Sequence, residues 1–323
     1  MSVTKRDQQP LPKRRKPTVK LTPNMEIHPP TVQFLYHEFE HARRHELGII
    51  RDDNEEFLHQ YRVSLRRSRS LIGLLSNLFE KGPADRLKRE LKTLMQHTNS
   101  LRDLDVLLMK MDDYFSELAH THHKGLTRFF DDIQDERRKT LKELKRWLKS
   151  DTYHQQCLLI SRLLDELAYQ STEEGRQPAA TRVHNILWYH FTKVENRCMG
   201  INVNSHDNAI HRLRICCKKL RYLLEYFTPL LPRKKTKQQI SQLKLLQDQL
   251  GDFNDLSVQR QLVKQYLTNE KSGSAREQAM TELIALTQTQ YQQIKQVTLD
   301  QINAFYQPNN LDLYHCLYPT DKS

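Results

Sequence analysis

The chain contains one helical pattern twice, in the same register, at an offset of 152 residues. The first copy begins at His59 with HQYRVSLRRSR, and the second begins at His211 with HRLRICCKKLR. Both place a histidine at offset 0 and basic residues at offsets 3, 7, 8 and 10. Self-similarity at a fixed period is the sign of a duplicated structural unit. The sequence therefore predicts two bodies of similar fold.

The register continues without a gap beyond the basic runs. It spans about residues 32–106 in the first copy and 184–258 in the second, and it pairs, for example, Asp103 with Asp255. We expect a first helical bundle over residues 31–173 and a second over 181–323, related by a pseudo-twofold axis. Residues 171–180 are the expected linker, because they carry Gly, Pro and Ser without an apolar period.

The composition favours an all-α fold. Only 8 glycines occur in 323 residues, which disfavours Gly-rich phosphate loops, and the apolar residues recur at helical spacing. Predicted helices of the copies lie at about 31–47, 54–80, 84–98 and 103–119, and at about 182–199, 206–229, 235–250 and 254–268. Further helices are predicted at about 125–149, 152–172 and 275–305, and the segment after residue 305 is left unassigned.

The charge balance predicts an anionic partner. Lys and Arg number 51 against 39 Asp and Glu, a formal net charge of +12. Such a surplus fits nucleic acid, a membrane surface or an inorganic polyanion. Residues 1–30, with the cluster Lys13–Lys16, are expected to form a disordered basic arm, either a solubilising tail or a second anion contact.

The cysteines and the hydropathy indicate a soluble, cytoplasmic protein. Five cysteines are an odd number without CxxC spacing, which favours reduced thiols over a disulfide framework or a zinc site. No apolar stretch approaches the length of about 18 residues that a membrane span needs. We expect no membrane association.

Four of the five residues of each basic pattern share one side of a helix. Offsets 0, 3, 7 and 10 fall within an arc of about 80° at 3.6 residues per turn. The neighbouring flank carries the expected core residues Leu58, Leu65, Ile72 and Leu75 in the first copy, and Ile210, Cys217, Leu224 and Phe227 in the second. The cations thus border the core, whereas solvated charge usually lies on the far side of a helix.

This placement favours anion binding over an ordinary solvated face. A duplicated stripe of like charge repels itself unless an anion offsets it, and Arg and Lys suit phosphate oxygens. Flanking helices add basic residues at matching positions. The candidate phosphate-binding residues are His59, Arg62, Arg66, Arg67, Arg69, Lys92, His41 and His45 in the first copy, and His211, Arg214, Lys218, Lys219, Arg221, Lys244, Lys193 and Arg197 in the second.

Other motifs have simpler interpretations. Asp103 and Asp255 are expected to cap or begin the fourth helix of each copy, and the alternative is that each carboxylate orients an arginine of the stripe. The HExxH pattern at His37 and the His-Asp pair at His206 are assigned no metal or catalytic role. A metal held by His59 and His211 is disfavoured, because fixed cations surround both. We expect no catalytic residue, no metal and no cofactor.

The paired motifs resemble the CHAD family of helical domains, which is named for its histidines. The resemblance rests on HQYRV with Arg66-Arg67, LRDLDV from Leu101, HRLR with KKLRY, and LGDFND from Leu250, and it covers about residues 31–305. It implies two similar helical bundles around a basic central cavity. The family's known activity is binding inorganic polyphosphate. The catalytic triphosphate-tunnel domain to which many such domains are fused has no counterpart here, so the resemblance implies a stand-alone member.

The sequence thus predicts a non-enzymatic protein that binds inorganic polyphosphate and associates with polyphosphate granules. Binding should need no metal, because fixed cations already neutralise phosphates. The alternatives are a nucleic-acid-binding protein that uses the same surface and a metal-dependent polyphosphate phosphohydrolase. Single-strand binders stack bases on exposed aromatic side chains, and such residues are not interleaved with these cations. Oligomeric state, chain-length preference and the roles of the arm and the C-terminal segment stay open.

Overall fold

A computed structural model describes residues 9–14, 19–268, 270–315 and 317. These residues form helices and no β-strand, which confirms the all-α prediction. The α-helices, in chain order α1 to α14, are His28–Arg43, Glu46–Arg51, Glu55–Leu74, Lys81–Gln96, Asn99–Leu108, Met111–Glu117, His123–Leu148, Asp151–Tyr169, Glu173–Arg176, Ala179–Met199, Asp207–Phe227, Arg233–Leu267, Ala275–Phe305 and Pro308–His315. Within the described residues, no helix is both long and apolar enough to span a membrane.

The chain divides into two compact units. Unit 1 comprises residues 1–106 and 134–178, and unit 2 comprises residues 107–133 and 179–323. This division differs from the expected bundles, 31–173 and 181–323, in its assignment of residues 107–133. Tyr114 in this segment donates a hydrogen bond to Gln259, over 3.0 Å, and Phe129 packs edge-on against Tyr266. The segment therefore belongs to the core of unit 2.

Unit 1 is built around α3. Helix α1 packs against α3 and α8, and α4 packs against α3 and α8. Helix α2 approaches α3 closely at Gly48, where a Cβ atom would lie 2.1 Å from a ring carbon of Phe57. The predicted core residues Leu58, Leu65 and Ile72 of α3, and Leu75 directly after its end, are all at most 2 % exposed. The apolar period of the sequence therefore identified the buried flank correctly.

Unit 2 is built around α11 and α12. Helix α11 packs against α10 and α12, and α12 packs along α13. The predicted core residues Ile210, Cys217, Leu224 and Phe227 are fully buried. In both units, apolar side chains thus fix one face of the helix that carries the basic run.

Helix α12 corrects one predicted boundary. The sequence predicted separate helices at about 235–250 and 254–268, whereas α12 runs from Arg233 to Leu267 without interruption. Gly251 lies inside it, and buried Leu250 and Phe253 flank that glycine. A helical glycine costs only about 1 kcal/mol relative to alanine, which packing offsets. In the first copy the chain does break, because α4 ends at Gln96 and α5 begins at Asn99.

The N-terminal segment is packed where the structure describes it, in contrast to the expected disordered arm. Val19, Leu21 and Ile27 are buried, and the Ile27 N–H donates to the carbonyl of Gln177, over 3.2 Å. The Arg14 guanidinium donates to Glu38 and, over 3.2 Å, to the hydroxyl of Ser64. Of the cluster Lys13–Lys16, Arg15 and Lys16 lie outside the described residues. Residues 9–14 and 19–30 are therefore part of unit 1.

Candidate anion-binding stripes

The first stripe, His59, Arg62, Arg66 and Arg69, lies on α3 of unit 1. The helix begins at Glu55, where the side chain of Asn54 accepts a hydrogen bond from the N–H of Glu56, over 3.0 Å. All four stripe side chains are partly exposed. They border the buried leucines of α3, so the cations lie at the edge of the core as the sequence predicts.

Arg62 is occupied by contacts within the protein. Its Nη1 donates to the carbonyl oxygen of Met95, at 3.0 Å, and to side-chain oxygens of Thr98 and Asn99, at 2.5 Å and 2.9 Å. These acceptors lie at the end of α4 and the start of α5. Burial lowers the pKa of Arg62 to about 10, Arg66 adds to this shift, and Asp103 opposes it. Arg62 therefore holds two helix ends together while keeping its charge near pH 7.

We predict that Arg62→Gln destabilises the protein far more than Arg66→Gln. Hydrogen bonds from a charged donor contribute roughly 1.5–3 kcal/mol each, so the free energy of unfolding should fall by about 2–3 kcal/mol in the first variant. The fall should stay below about 1 kcal/mol in the second. Urea denaturation measures both variants, and equal losses would show that Arg62 has no special structural role.

Arg66 has donor capacity that the described residues leave unused. Its Nε is buried and has no hydrogen-bond partner among them. Among the described residues, Arg69, one turn further along α3, makes a weak contact from its Nη1 to the sulfur of Met95, at 3.8 Å. Buried polar groups in native proteins are nearly always hydrogen-bonded. An anionic ligand at this part of the stripe would supply the acceptor that Arg66 lacks.

Arg67 lies next to a carboxylate instead. Its Nε is 3.2 Å from Oε1 of Glu38, whose side chain is fully buried and also pairs with Arg14. The guanidinium lies over the ring of Phe34, 5.6 Å from its centroid. Arg67 therefore already has a carboxylate partner within unit 1, which it shares with Arg14. Its assignment to phosphate stays a prediction.

The assignment of His41 and His45 to phosphate binding is corrected, because both side chains are buried. They are only 6 % and 0 % exposed. His41 Nδ1 is hydrogen-bonded to Ser64 Oγ, and His45 Nδ1 to the carbonyl of His41, at 2.9 Å and 2.7 Å. Burial, with Arg14 nearby, lowers the pKa of His41 to about 4, and burial also lowers the pKa of His45. Both side chains are neutral parts of the core near pH 7 and do not present cations to a ligand.

His59 remains part of the stripe. Burial lowers its pKa from the ordinary value, and Arg102 acts in the same direction, as do Arg66 and Arg62 more weakly, whereas Glu56 opposes the shift. Arg102, one residue before Asp103, thus joins the cationic cluster of unit 1. Lys92, the other candidate of this copy, is exposed on α4.

The second stripe, His211, Arg214, Lys218 and Arg221, lies on α11 of unit 2. His211 is exposed, and its Nδ1 lies 2.6 Å from Oδ1 of Asn254 on α12. Arg221 is partly exposed and lies 3.5 Å from Glu225, one turn along α11. Lys218 is also partly exposed. The second copy therefore repeats a partly exposed cationic edge beside a buried flank.

Asp103 and Asp255 do not cap helices, which corrects the first interpretation of them. Asp103 lies inside α5, and Asp255 lies inside the long α12. The alternative role fits both: Asp103 attracts Arg62 electrostatically, and Asp255 lies 3.8 Å from Nη2 of Arg214. At equivalent positions, a carboxylate thus faces the first arginine of each stripe.

The copies differ beside the stripe. The position of Glu38 in the first copy is occupied by His190 in the second. Burial lowers the pKa of His190 to about 4, and Lys193 and Lys219 lower it further. Lys219 is exposed, whereas its counterpart Arg67 lies against Glu38. The second copy thus gathers cations around a neutral histidine where the first has a carboxylate.

The other candidates of the second copy lie on exposed helix surfaces. Lys193 donates from Nζ to the hydroxyl of Tyr189, over 2.6 Å, and lies 4.0 Å from the centroid of that ring. Arg197 and Lys244 are exposed on α10 and α12. Sequence reasoning missed His190 and Arg102. The 152-residue register aligns His190 with Glu38, and this exchange of a carboxylate for a histidine could have identified His190.

The fold and the paired basic helices define a class of all-α protein with a cationic edge on one helix of each unit. The family model for the CHAD domain matches residues 33–264. The chain therefore belongs to the CHAD domain family.

Two solved structures share the fold. One is the crystal structure of the CHAD domain from the plant Ricinus communis, which is 23 % identical over 94 % of this chain and 95 % of that chain, with a TM-score of 0.69. The other is PptA from Streptomyces chartreusis, 13 % identical over 86 % of this chain and 98 % of that chain, with a TM-score of 0.67. No curated protein matches the chain in sequence.

Proposed function

We propose that this protein binds inorganic polyphosphate through the two stripes, without catalysing a reaction. The observation that carries the proposal is Arg66, whose buried Nε has no acceptor in the described residues. Phosphate oxygens are strong acceptors for guanidinium groups. Within the first stripe we assign the binding to His59, Arg66 and Arg69, because Arg62 is occupied by α4 and α5. Within the second stripe we assign it to Lys218 and Arg221, together with the exposed Lys219 beside the stripe. Association with polyphosphate granules would follow from this binding.

The alternatives have weaker support. Tyr61, beside the first stripe, is 1 % exposed and cannot stack on a base. Among the described residues, no group of three or more His, Cys, Asp or Glu side chains is placed to hold a metal ion, so a metal-dependent hydrolase would lack a complete ligand set there.

A competition experiment tests the proposal. Purified protein is titrated with long-chain polyphosphate at about physiological ionic strength, and single- or double-stranded nucleic acid is added at equal phosphate concentration. We expect saturable binding that nucleic acid does not displace. Displacement by nucleic acid would favour the nucleic-acid alternative, and release of orthophosphate from the bound polymer would contradict the non-enzymatic role.

We predict that binding tightens as the pH falls from about 8 to 6. In the free protein the pKa of His59 is lowered, so its ring is neutral near pH 7. Bound phosphates favour the imidazolium form and raise this pKa. The complex then holds more protons than the free protein, so affinity must increase as the pH falls through the interval between the two pKa values. One linked proton changes affinity by at most about tenfold per pH unit.

The variant His59→Gln should flatten this pH response. Binding curves at several pH values measure the effect, and His154→Gln, which alters an exposed histidine on α8, is the matched control. An unchanged pH response in His59→Gln would mean that other groups take up the proton.

A further inference from the structure

A pair of histidines lies in the turn between α6 and α7 of unit 2. Residues His120–His122 form a single 3-10 turn, and His123 begins α7. Side chains at positions i and i+3 eclipse one another in a 3-10 helix. This geometry brings His120 and His123 together and directs His122 elsewhere. The pair is far from the stripes in sequence, and what it binds is independent of polyphosphate binding by the stripes.

The Nδ1 atoms of the two imidazole rings lie close to each other. Their Nδ1 atoms are 3.4 Å apart, and the ring centroids are 4.6 Å apart with an interplanar angle of 67°. Two nitrogens bound to one tetrahedral zinc ion at about 2.0–2.1 Å lie roughly 3.3–3.4 Å apart. The observed spacing thus equals that of two ligands of one metal ion.

The contacts of His123 leave the lone pair of its Nδ1 available to bind a metal ion. Its Nε2 lies 3.1 Å from the carbonyl oxygen of Leu118. A carbonyl can only accept, so Nε2 carries the proton, and the neutral ring then has its lone pair on Nδ1. Metal-bound histidines typically show this hydrogen bond from the second ring nitrogen. The ring also packs edge-on against Phe115, with the centroids 5.2 Å apart, which restrains its orientation.

We propose that His120 and His123 bind a divalent transition-metal ion of the zinc class through their Nδ1 atoms. Imidazole suits Zn²⁺, Ni²⁺ and Cu²⁺ better than it suits Mg²⁺ or Ca²⁺. Within the described residues, no third His, Cys, Asp or Glu completes a ligand group. The ion therefore keeps positions for water or an added ligand, and binding is weaker than at a closed structural zinc site.

Zinc titration of the full chain by isothermal calorimetry, in buffer without phosphate, tests the site. We expect saturable binding of Zn²⁺ that is weakened at least tenfold by His120→Gln and by His123→Gln. The matched control His154→Gln, also an exposed histidine, should keep the parent affinity. With Mg²⁺ at the same concentration, the parent protein and the two pair variants should give equal heats.

A second readout uses the unmutated protein, so it does not depend on the folding of any variant. In long-range ¹H–¹⁵N spectra, zinc should shift the Nδ1 signals of His120 and His123 together and leave their Nε2 signals protonated. An absence of saturable zinc binding would overturn the proposal, as would full affinity in both variants. In either case the 3.4 Å contact would be an ordinary hydrogen bond between two histidines.

Discussion

Reversing two charges of the first stripe, Arg66→Glu with Arg69→Glu, is expected to weaken polyphosphate binding at least a hundredfold. A hydrogen bond to a charged group contributes roughly 1.5–3 kcal/mol, so losing two such contacts costs about 3–6 kcal/mol, before any repulsion from the new carboxylates. Both side chains are partly exposed, and in the described part of unit 1 Arg69 makes a weak contact with the sulfur of Met95. The fold should therefore tolerate the change. Fluorescence titration measures affinity, and circular dichroism with thermal melting checks folding.

A matched variant separates this local effect from net charge. Lys139 and Lys142 are exposed on the part of α7 that belongs to unit 1, and Lys139→Glu with Lys142→Glu makes the same change in formal charge. This control should retain most of its affinity, because neither lysine belongs to the stripe. Equal losses in both double variants would indicate nonspecific attraction and would contradict a binding role for the stripe.

The equivalent change in the second stripe, Lys218→Glu with Arg221→Glu, is expected to weaken binding similarly. Salt dependence gives a further measurement, since log K for single-stranded nucleic acid falls by about 0.7 per phosphate neutralised for each tenfold rise in salt. By analogy, either stripe variant should show a smaller slope than the parent protein. A parent slope near zero would contradict binding through several phosphate contacts.

The helix positions and the buried flanks could be predicted because they depend on local periodicity. Leu58 and Leu65, and their counterparts Ile210 and Cys217, lie on the core side where the apolar period places them. The breaks between helices were harder to predict. Gly251 does not end α12, because tertiary packing along the helix offsets a weak local preference.

The roles of individual cations could be predicted only in part. Basic residues that recur every three or four positions lie on one face of a helix. This spacing does not show which of them donates a hydrogen bond to an acceptor on another helix. Arg62, Arg66 and Arg67 belong to the same basic run, but Arg62 donates to the carbonyl of Met95 at the end of α4 and Arg67 lies against Glu38. Those acceptors lie between 29 and 37 residues away in the chain, so no local pattern contains them.

The largest effect on stability is expected from Glu38→Gln. The side chain of Glu38 is fully buried and is the shared partner of Arg14 and Arg67. Removing one partner of a buried ion pair typically costs about 3–5 kcal/mol, because it leaves charge without compensation in the interior. The free energy of unfolding should fall by about that amount, and denaturant titration of the full chain measures it.

Glu40, two residues further along α1, offers a matched control on the same helix. It lies 3.5 Å from Arg44, and both side chains are well exposed, at 61 % and 44 %. Exposed pairs of this kind contribute about 0.3–0.5 kcal/mol, so Glu40→Gln should leave stability almost unchanged. Arg14→Gln should fall between the two, because Arg67 still faces Glu38. Equal stability of Glu38→Gln and Glu40→Gln would contradict the role of the N-terminal segment as a charged, packed part of unit 1.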